Sequence, residues 1–414
     1  MISAEQAEQT ILQRVQPFQA ETECEQVSLM DARDRILAHP ITSPLDFPHW
    51  DNSAMDGYAV QYADVATCST ESPVTLTICE EIPAGKQPQV TVQPGQAARI
   101  FTGAVMPAGA DTVVMQENTQ RQGDRVTVLA APKPKAFVRY RGDYYQAGQP
   151  LLPAGLPLRA TELAVLAAVQ CGQVPVLRQP RVAILSTGDE LVEIDQPLQP
   201  GQIVDSNRYA LAAAISHAGA IPVPLGIVPD RPDALKTAIA TAIAEADVVL
   251  SSGGVSVGDY DYVDQILADL GAHIHFRAVA VKPGKPLTFA TFTEKPVLYF
   301  GLPGNPASAL LTFWRFVQPA LRKLAGYPEQ RWRSPLVTAT TTQDLRSDGK
   351  RETYLWGHLA ISNRSFEFRL AGGGHSSGNL INLAGTNGFA VLPIGVTSIA
   401  AGETVSVMQV ASAF

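Results

Sequence analysis

The sequence predicts a multidomain α/β plus β chain: a β-rich region, then an alternating α/β region, then a second β-rich region. Three observations carry this. A length of 414 residues exceeds what one core commonly serves and points to about two to four domains. Thirty-one prolines and 32 glycines demand many tight turns between short elements. Short apolar runs alternate with helical patterns over residues 181–325, whereas alternating runs bounded by turn clusters fill 47–132, and 335–414 reads as β-rich with glycine turns.

Taken in order, residues 4–15 have amphipathic helical spacing, with Ser3 placed as N-cap. Residues 28–37 repeat that spacing until Pro40 and Pro44 interrupt it. The runs at 74–79, 112–116 and 125–129 read as strands separated by turns such as Pro83-Ala84-Gly85 and Pro107-Ala108-Gly109. Residues 161–169 read as a helix with Thr161 as cap. Buried-type strands are expected at 181–186, 247–251 and 296–300, with helices at 209–218, 232–244, 262–270 and 307–325, which together imply a parallel, three-layer α/β domain. Pro319 and Tyr327-Pro328 mark the exit into the last β-rich segment.

A formal charge of −8 argues against nonspecific binding to nucleic acid, although local donors can still bind one anion. Cys24, Cys68, Cys79 and Cys171 match neither a zinc nor a disulfide framework and read as scattered reduced thiols. The N-terminus has no basic and apolar leader pattern, and no apolar run is long enough to span a bilayer. A cytoplasmic protein is expected, with no nucleic acid and no membrane among its partners.

Ligands of open α/β sheets bind beyond the carboxyl ends of the strands. Three turns there are rich in polar chemistry: 186–190, 251–261 and 301–308, the last including Pro303, Gly304 and Asn305. Gly253 and Gly254, flanked by the hydroxyls of Ser252 and Ser256, suit a phosphate cradle of backbone N–H groups at a helix start. One such turn alone would be only a tight connection; three along one sheet edge, with clustered acids, favour a site. Asp189, Glu190, Asp259 and Asp261 would repel a phosphate unless a cation such as Mg²⁺ lay between them, and capping of the next helix is the competing role for Asp189 and Asp259. Lys282-Pro283-Gly284-Lys285-Pro286 sets two lysines in a stiff frame suited to an oxyanion. Residues 51–59 (DNSAMDGYA) and 99–104 (RIFTGA) are dense polar loops to which composition alone assigns no chemistry.

In order, DNSAMDGYAV from Asp51, RIFTGAVMPAGADTVVMQE from Arg99, STGDEL from Ser186, SSGGVSVGDYD from Ser251, KPGKP from Lys282 and GLPGNPASAL from Gly301 resemble the MoeA family of molybdopterin molybdenumtransferases, to which the C-terminal domain of gephyrin also belongs. The resemblance implies a homodimer of four-domain subunits: a discontinuous helical linking domain (1–45 and 139–175), an inserted β domain (46–138), a three-layer molybdopterin-binding α/β domain (176–328) and a C-terminal β-barrel-like domain (329–414). It implies that molybdate enters adenylylated molybdopterin with a divalent cation, that the phosphoanhydride is cleaved, and that AMP leaves with molybdenum cofactor. By motif, the functional positions fall on Asp56, Thr102, Glu190, Asp230, Asp261, Lys282 and Lys285, with Arg351 and Ser377 matching positions that could hold molybdate. Metal ligation falls on Glu190, Asp261 and Asp259. Because Asp56 and Thr102 lie in the β domain, the resemblance implies a site completed between subunits. Two departures stand out: Tyr144 occupies a position where the family carries an aspartate, with Asp143 beside it, and Trp356 one where arginine is common.

Two other readings compete. The α/β region resembles the separate module that adenylylates molybdopterin, which makes adenylyl transfer a rival reaction and such a module a possible transfer partner. A non-catalytic scaffold is the other, since gephyrin uses this architecture to cluster receptors. The inserted β region with DNSAMDG favours insertion over the first, and retention of Asp56, Glu190 and Asp261 favours catalysis over the second.

Overall fold

Ser3 opens helix α1 (Ala4–Arg14) through a capping box. Its hydroxyl accepts from the Gln6 N–H at 3.1 Å, while the Gln6 side chain takes the Ser3 N–H at 3.0 Å. The structure is a computed structural model that describes residues 1–253, 260–362 and 364–411, with the side chains of residues 260 and 261 outside that description. It divides into two compact units: Met1–His39, Gly155–Ala160 and Gln173–Phe414 form one, Pro40–Ala154 and Thr161–Gly172 the other.

The helix expected over 28–37 does not form. A strand (Cys24–Ser28) pairs with another (Gln173–Leu177) and runs into a turn whose Asp31 and Ala32 N–H groups both reach Ser28 O at 3.0 Å. Asp34 then adopts φ +61°, which ends the turn, and Ile36 and Leu37 bridge to Pro157 and Val176. The apolar spacing there reflects two buried residues of an extended segment, not a helix face.

In the second unit, β1 (Gly57–Val60), β2 (Val74–Ile82), β3 (Gln96–Ile100), β4 (Thr112–Met115), β5 (Thr119–Gln122) and β6 (Arg125–Val128) make a sheet of order β4-β1-β3-β2-β6-β5, parallel only between β2 and β3. Alternation buries both faces: Tyr58, Val60, Leu76 and Val114 on one, Ala59, Ile82, Ile100 and Val113 on the other. Helix α2 (Ala160–Ala168) begins one residue before Thr161, whose hydroxyl bonds the Glu162 carboxylate at 3.0 Å instead of capping.

The first unit holds a six-stranded sheet. Along the chain run β7 (Arg181–Thr187), α3 (Ser206–His217), β8 (Ile221–Val228), α4 (Pro232–Glu245), β9 (Val248–Ser252), α5 (Tyr260–Asp269), β10 (Ala272–Ala278), β11 (Val281–Lys282), β12 (Pro286–Phe292), β13 (Leu298–Leu302), α6 (Pro306–Thr312) and α7 (Gln318–Leu324). The sheet order is β8-β7-β9-β13-β12-β10. The first four strands are parallel; β12 and β10 add antiparallel, so the sheet is mixed rather than wholly parallel. The core layers alternate strictly. Val182, Ile184, Leu250 and Phe300 pack against α1, α3 and α6, whereas Ala183, Leu185, Val249 and Tyr299 pack against α4 and α5.

The helix expected over 307–325 is widened by a π turn at Phe313–Val317, where the Gln318 N–H reaches back to Phe313 O. Pro319 has no N–H to offer Arg315 O and its ring would crowd that carbonyl, so the chain opens by one residue before α7.

Five longer strands follow: β14 (Leu336–Thr341), β15 (Glu352–Ser362), β16 (Ser365–Leu370), β17 (Gly388–Leu392) and β18 (Thr404–Gln409). They pair β15-β16-β14-β18-β17 and back to β15, which closes a barrel. Strand β11 joins β15 in parallel, and Tyr354, Trp356 and Phe389 of the barrel continue the core of the α/β sheet. Phe300, fully buried with its ring centroid 5.0 Å from that of Phe289, sits centrally in that core. Phe300→Ala should cost about 3–5 kcal/mol, read as a lower urea midpoint by circular dichroism.

Candidate active site

The parallel strands β7, β9 and β13 end in register, with Ser186 opposite Ser252 and Ser252 opposite Leu302. Their turns therefore meet. Gly253 has φ +94°, and a Cβ there would lie 2.1 Å from Thr187 O, so only glycine fits. A Cβ on Gly304 would come within 3.5 Å of the Gly253 Cα. Asn207, in the first turn of α3, ties the turns together: its Nδ2 donates to Ser252 Oγ at 2.9 Å and to Gly304 O at 2.8 Å.

These turns form one wall of a cavity of about 850 Å³. The opposite wall is carried by the barrel. Lys282 to Pro286, Arg351, the β15 segment Thr353-Tyr354-Leu355 and the loop from His375 to Gly378 all line it. The Lys282 backbone pairs with Thr353, and the Arg351 guanidinium donates to Val281 O at 3.1 Å. Asn305 closes the gap, its amide donating to Ser377 Oγ at 3.0 Å while the Ala307 N–H reaches Ser377 O at 3.1 Å.

Charge in the lining is mixed. Lys282, Lys285 and Arg351 face the carboxylates Glu190 and Asp205. Asp205 is already engaged: Oδ1 caps α3 through the Arg208 N–H at 3.2 Å, and Oδ2 lies 3.3 Å from the Arg208 guanidinium. Lys282 Nζ sits 3.0 Å from Asp348, whose carboxyl is held below its ordinary range first by that hydrogen bond and then by the Lys350 N–H. The buried Thr187 Oγ1 has no partner among the described residues. His375 bonds Ala371 O through Nε2 at 3.0 Å, which places its hydrogen on Nε2, and burial pushes its pKa down.

The structure thus brings together Glu190, Ser252, Gly253, Lys282, Lys285, Pro303, Gly304, Asn305, Arg351 and Ser377. Gly254, Ser256 and Asp259 lie outside the described residues, as does the side chain of Asp261. Asp230 is not on the lining; it follows β8, and its N–H donates to the Asp189 carboxylate at 3.2 Å. In the second unit Asp56 and Thr102 meet each other: Asp56 Oδ1 accepts from the Thr102 N–H at 2.7 Å and from its hydroxyl at 2.8 Å. Those donors, backbone first, hold the Asp56 carboxyl below its ordinary pKa. Asp143 accepts from the Tyr140 N–H at 2.6 Å, and Tyr144 is exposed. Trp356 is core, its Nε1–H bonded to Asn382 at 3.0 Å.

Motif reading missed Asp205, Asn207, Tyr354 and His375. The signal for Asp205 and Asn207 was present as an N-cap residue and its neighbours at the start of a crossover helix. Tyr354 and His375 lie in the barrel, where β patterning says nothing of which face meets the α/β sheet.

Strand-end turns built for close backbone approach, opposed by a wall of lysine and arginine, define an α/β protein with a cavity suited to a small anion. Residues 2–170 match the MoeA N-terminal region (domain I and II), 183–323 a domain described as "Probable molybdopterin binding domain", and 338–410 the MoeA C-terminal region (domain IV). The chain is 61% identical to a molybdopterin molybdenumtransferase of a Nostoc species, over 96% of this chain and 92% of the relative. It is 36% identical to the Haemophilus influenzae molybdopterin molybdenumtransferase, over 98% of each. The crystal structure of a Pyrococcus horikoshii MoeA protein of molybdopterin biosynthesis superposes with a TM-score of 0.81, at 30% identity and 100% of both chains. The chain belongs to the MoeA family of molybdopterin molybdenumtransferases.

Asn207→Ala removes both ties between the turns and should weaken ligand binding about tenfold with little change in melting temperature, measured by calorimetry. Thr102→Val should raise the Asp56 pKa, followed by carboxyl NMR titration. Because the folded pKa is lowered, the stabilisation from this pair is full above the unfolded carboxylate value and is lost as pH falls through the folded one.

Proposed function

We propose that the chain inserts molybdate into adenylylated molybdopterin, with cleavage of the phosphoanhydride and release of AMP and molybdenum cofactor. The observation that carries this is the cavity itself, where three strand-end turns face Lys282, Lys285 and Arg351 in a chain of this family. The chemistry is a phosphoanhydride hydrolysis together with replacement of an oxide of molybdate by the dithiolene sulfurs, the oxide leaving as water. Neither step is a redox reaction, which suits a site built from hydroxyls, amides, carboxylates and fixed cations.

Ser252, Gly253, Gly254 and Ser256, with Pro303, Gly304 and Asn305, hold the phosphate end of the pterin substrate through hydroxyls and backbone N–H groups. Asp230 also belongs to the substrate-binding set. Lys282, Lys285, Arg351 and Ser377 hold molybdate, since cations and a hydroxyl can grip a tetrahedral oxyanion without changing its oxidation state. Glu190 and Asp261 belong to the catalytic set that orients the anhydride and the attacking water, and Asp56 and Thr102 complete that set from the partner subunit.

A divalent cation, if Mg²⁺, needs hard oxygens and accepts a few carboxylates plus phosphate oxygens. Among the described residues no group of three histidine, cysteine or carboxylate side chains could hold a metal. Glu190 lies on the cavity lining and would hold the cation together with the substrate's phosphates, with Asp259 and Asp261 assigned to the same ion by motif alone. There the cation would supply charge neutralisation at the anhydride.

The protein acts as a cytoplasmic homodimer, to be checked by light scattering, and receives its substrate from the adenylylating enzyme. The deciding assay gives purified protein adenylylated molybdopterin and Mg²⁺, with and without molybdate. AMP release should depend on molybdate and fall at least about a hundredfold in Glu190→Gln. Pyrophosphate release from ATP and molybdopterin would point to adenylyl transfer instead.

A further inference from the structure

The loop that brings Ser377 to the cavity has no framework of its own. It leaves β16 at Leu370 and runs through Gly372, Gly373 and Gly374 to His375, with no helix or strand before the 3₁₀ turn at Ile381–Leu383. Gly372 and Gly374 are exposed, and a Cβ on either would meet no atom within 4 Å, so packing does not fix the run. Glycine loses more backbone freedom on ordering than any other residue, and such a run keeps one shape only if something outside it supplies the restraint.

Asn382 bridges the run. Its Nδ2 donates to Gly372 O at 3.2 Å and to Gly374 O at 3.1 Å, and Asn379 Nδ2 adds a second donor to Gly374 O at 3.0 Å. The Asn382 Oδ1 accepts from the Trp356 Nε1–H at 3.0 Å. Trp356 is 1% exposed on β15, and an indole N–H can only donate. The amide must therefore turn its oxygen to the indole and its NH₂ to the loop. The same indole carries the next residue: the His375 ring lies against it, centroids 4.4 Å apart, and His375 Nε2–H returns to Ala371 O at 3.0 Å. Beyond His375, Ser377 Oγ accepts from the Asn305 amide at 3.0 Å. A hydroxyl that accepts there keeps its own proton to donate, and Ser377 lines the cavity with Lys282, Lys285 and Arg351.

The geometry points to Asn382 and Trp356 as positioning residues that hold the glycine run in the shape that presents the Ser377 hydroxyl to a tetrahedral oxyanion. The inference rests on the oxyanion reading of the cavity given above. It gives Trp356, which stands where arginine is common in the family, a task beyond filling the core: a buried donor that sets the direction of one amide.

The test is titration of the full chain with sodium molybdate by calorimetry, with melting temperatures in parallel. Ser377→Ala sets the scale, and its Kd should rise about tenfold, the worth of one hydrogen bond to an anion. Asn382→Leu keeps the volume and removes all three bonds of the amide; its Kd should rise by about the same factor. Added to Ser377→Ala, Asn382→Leu should cost less than about twofold more, because its effect passes through that hydroxyl. Trp356→Phe keeps a buried ring and removes the N–H that orients the amide; its loss should be smaller and should likewise vanish in the Ser377→Ala chain. A change that merely loosens the barrel would lower the melting temperature and weaken binding by one factor with or without the Ser377 hydroxyl. An unchanged Kd in Asn382→Leu, or an equal further loss when it is added to Ser377→Ala, would overturn the inference and leave the functional reading intact. A Ser377→Ala chain that binds molybdate as the wild type does would overturn the inference together with the assignment of Ser377. A wild-type chain that binds no molybdate would overturn both readings.

Discussion

The cavity depends on one close approach, that of the Gly253 backbone to the carbonyl of Thr187. Where a Cβ would lie 2.1 Å from a carbonyl oxygen, two neighbouring strands can turn into their helices side by side instead of splaying apart. The third turn then packs at Gly304, and Asn207 bonds two of the three. Without that contact the strand ends would still stand in register, but their N–H groups and hydroxyls would not converge on one ligand.

Convergence alone would give only half a site. The other half comes from the barrel, which is fastened to the α/β sheet in two ways. Backbone pairing of β11 with β15 sets the lysine loop against Arg351, and a continuous apolar core runs from Phe300 to Trp356 and Phe389. Hydrogen bonds from Asn305 and Ala307 to Ser377 draw the two walls to a fixed separation. The apolar contacts supply most of the holding energy, and the polar ones choose the register, which is the usual division of labour between the two kinds of force.

Much of this was legible in the sequence, for a physical reason. The parallel strands, their crossover helices and the glycine turns are local patterns, and in open α/β sheets such turns mark the ligand side by topology alone. The Ser3 cap and the strand-end motifs were read in the same way. What could not be read depends on contacts between distant segments. Residues 28–37 carry helical spacing, yet Ile36 and Leu37 serve a bridge to Pro157 and Val176. The π turn follows from Pro319 acting on a helix whose outward pattern is unbroken. Tyr354 became part of the cavity only through barrel closure, which no stretch of β15 announces by itself. Antiparallel β10 and β12 were hidden for a similar reason, since a strand's direction is settled by its partner.

The closed barrel has a mechanical consequence. A ring of strands has no edge along which it can shear, so the wall bearing Arg351, Thr353 and Leu355 behaves as an anvil. On the opposite side the contact between turns is made by side chain rather than by ladder, through the two hydrogen bonds of Asn207 to Ser252 and Gly304. Amide exchange should be slow along β15, which, like every strand of the ring, is paired on both sides, so this wall keeps its shape whatever ligand it meets.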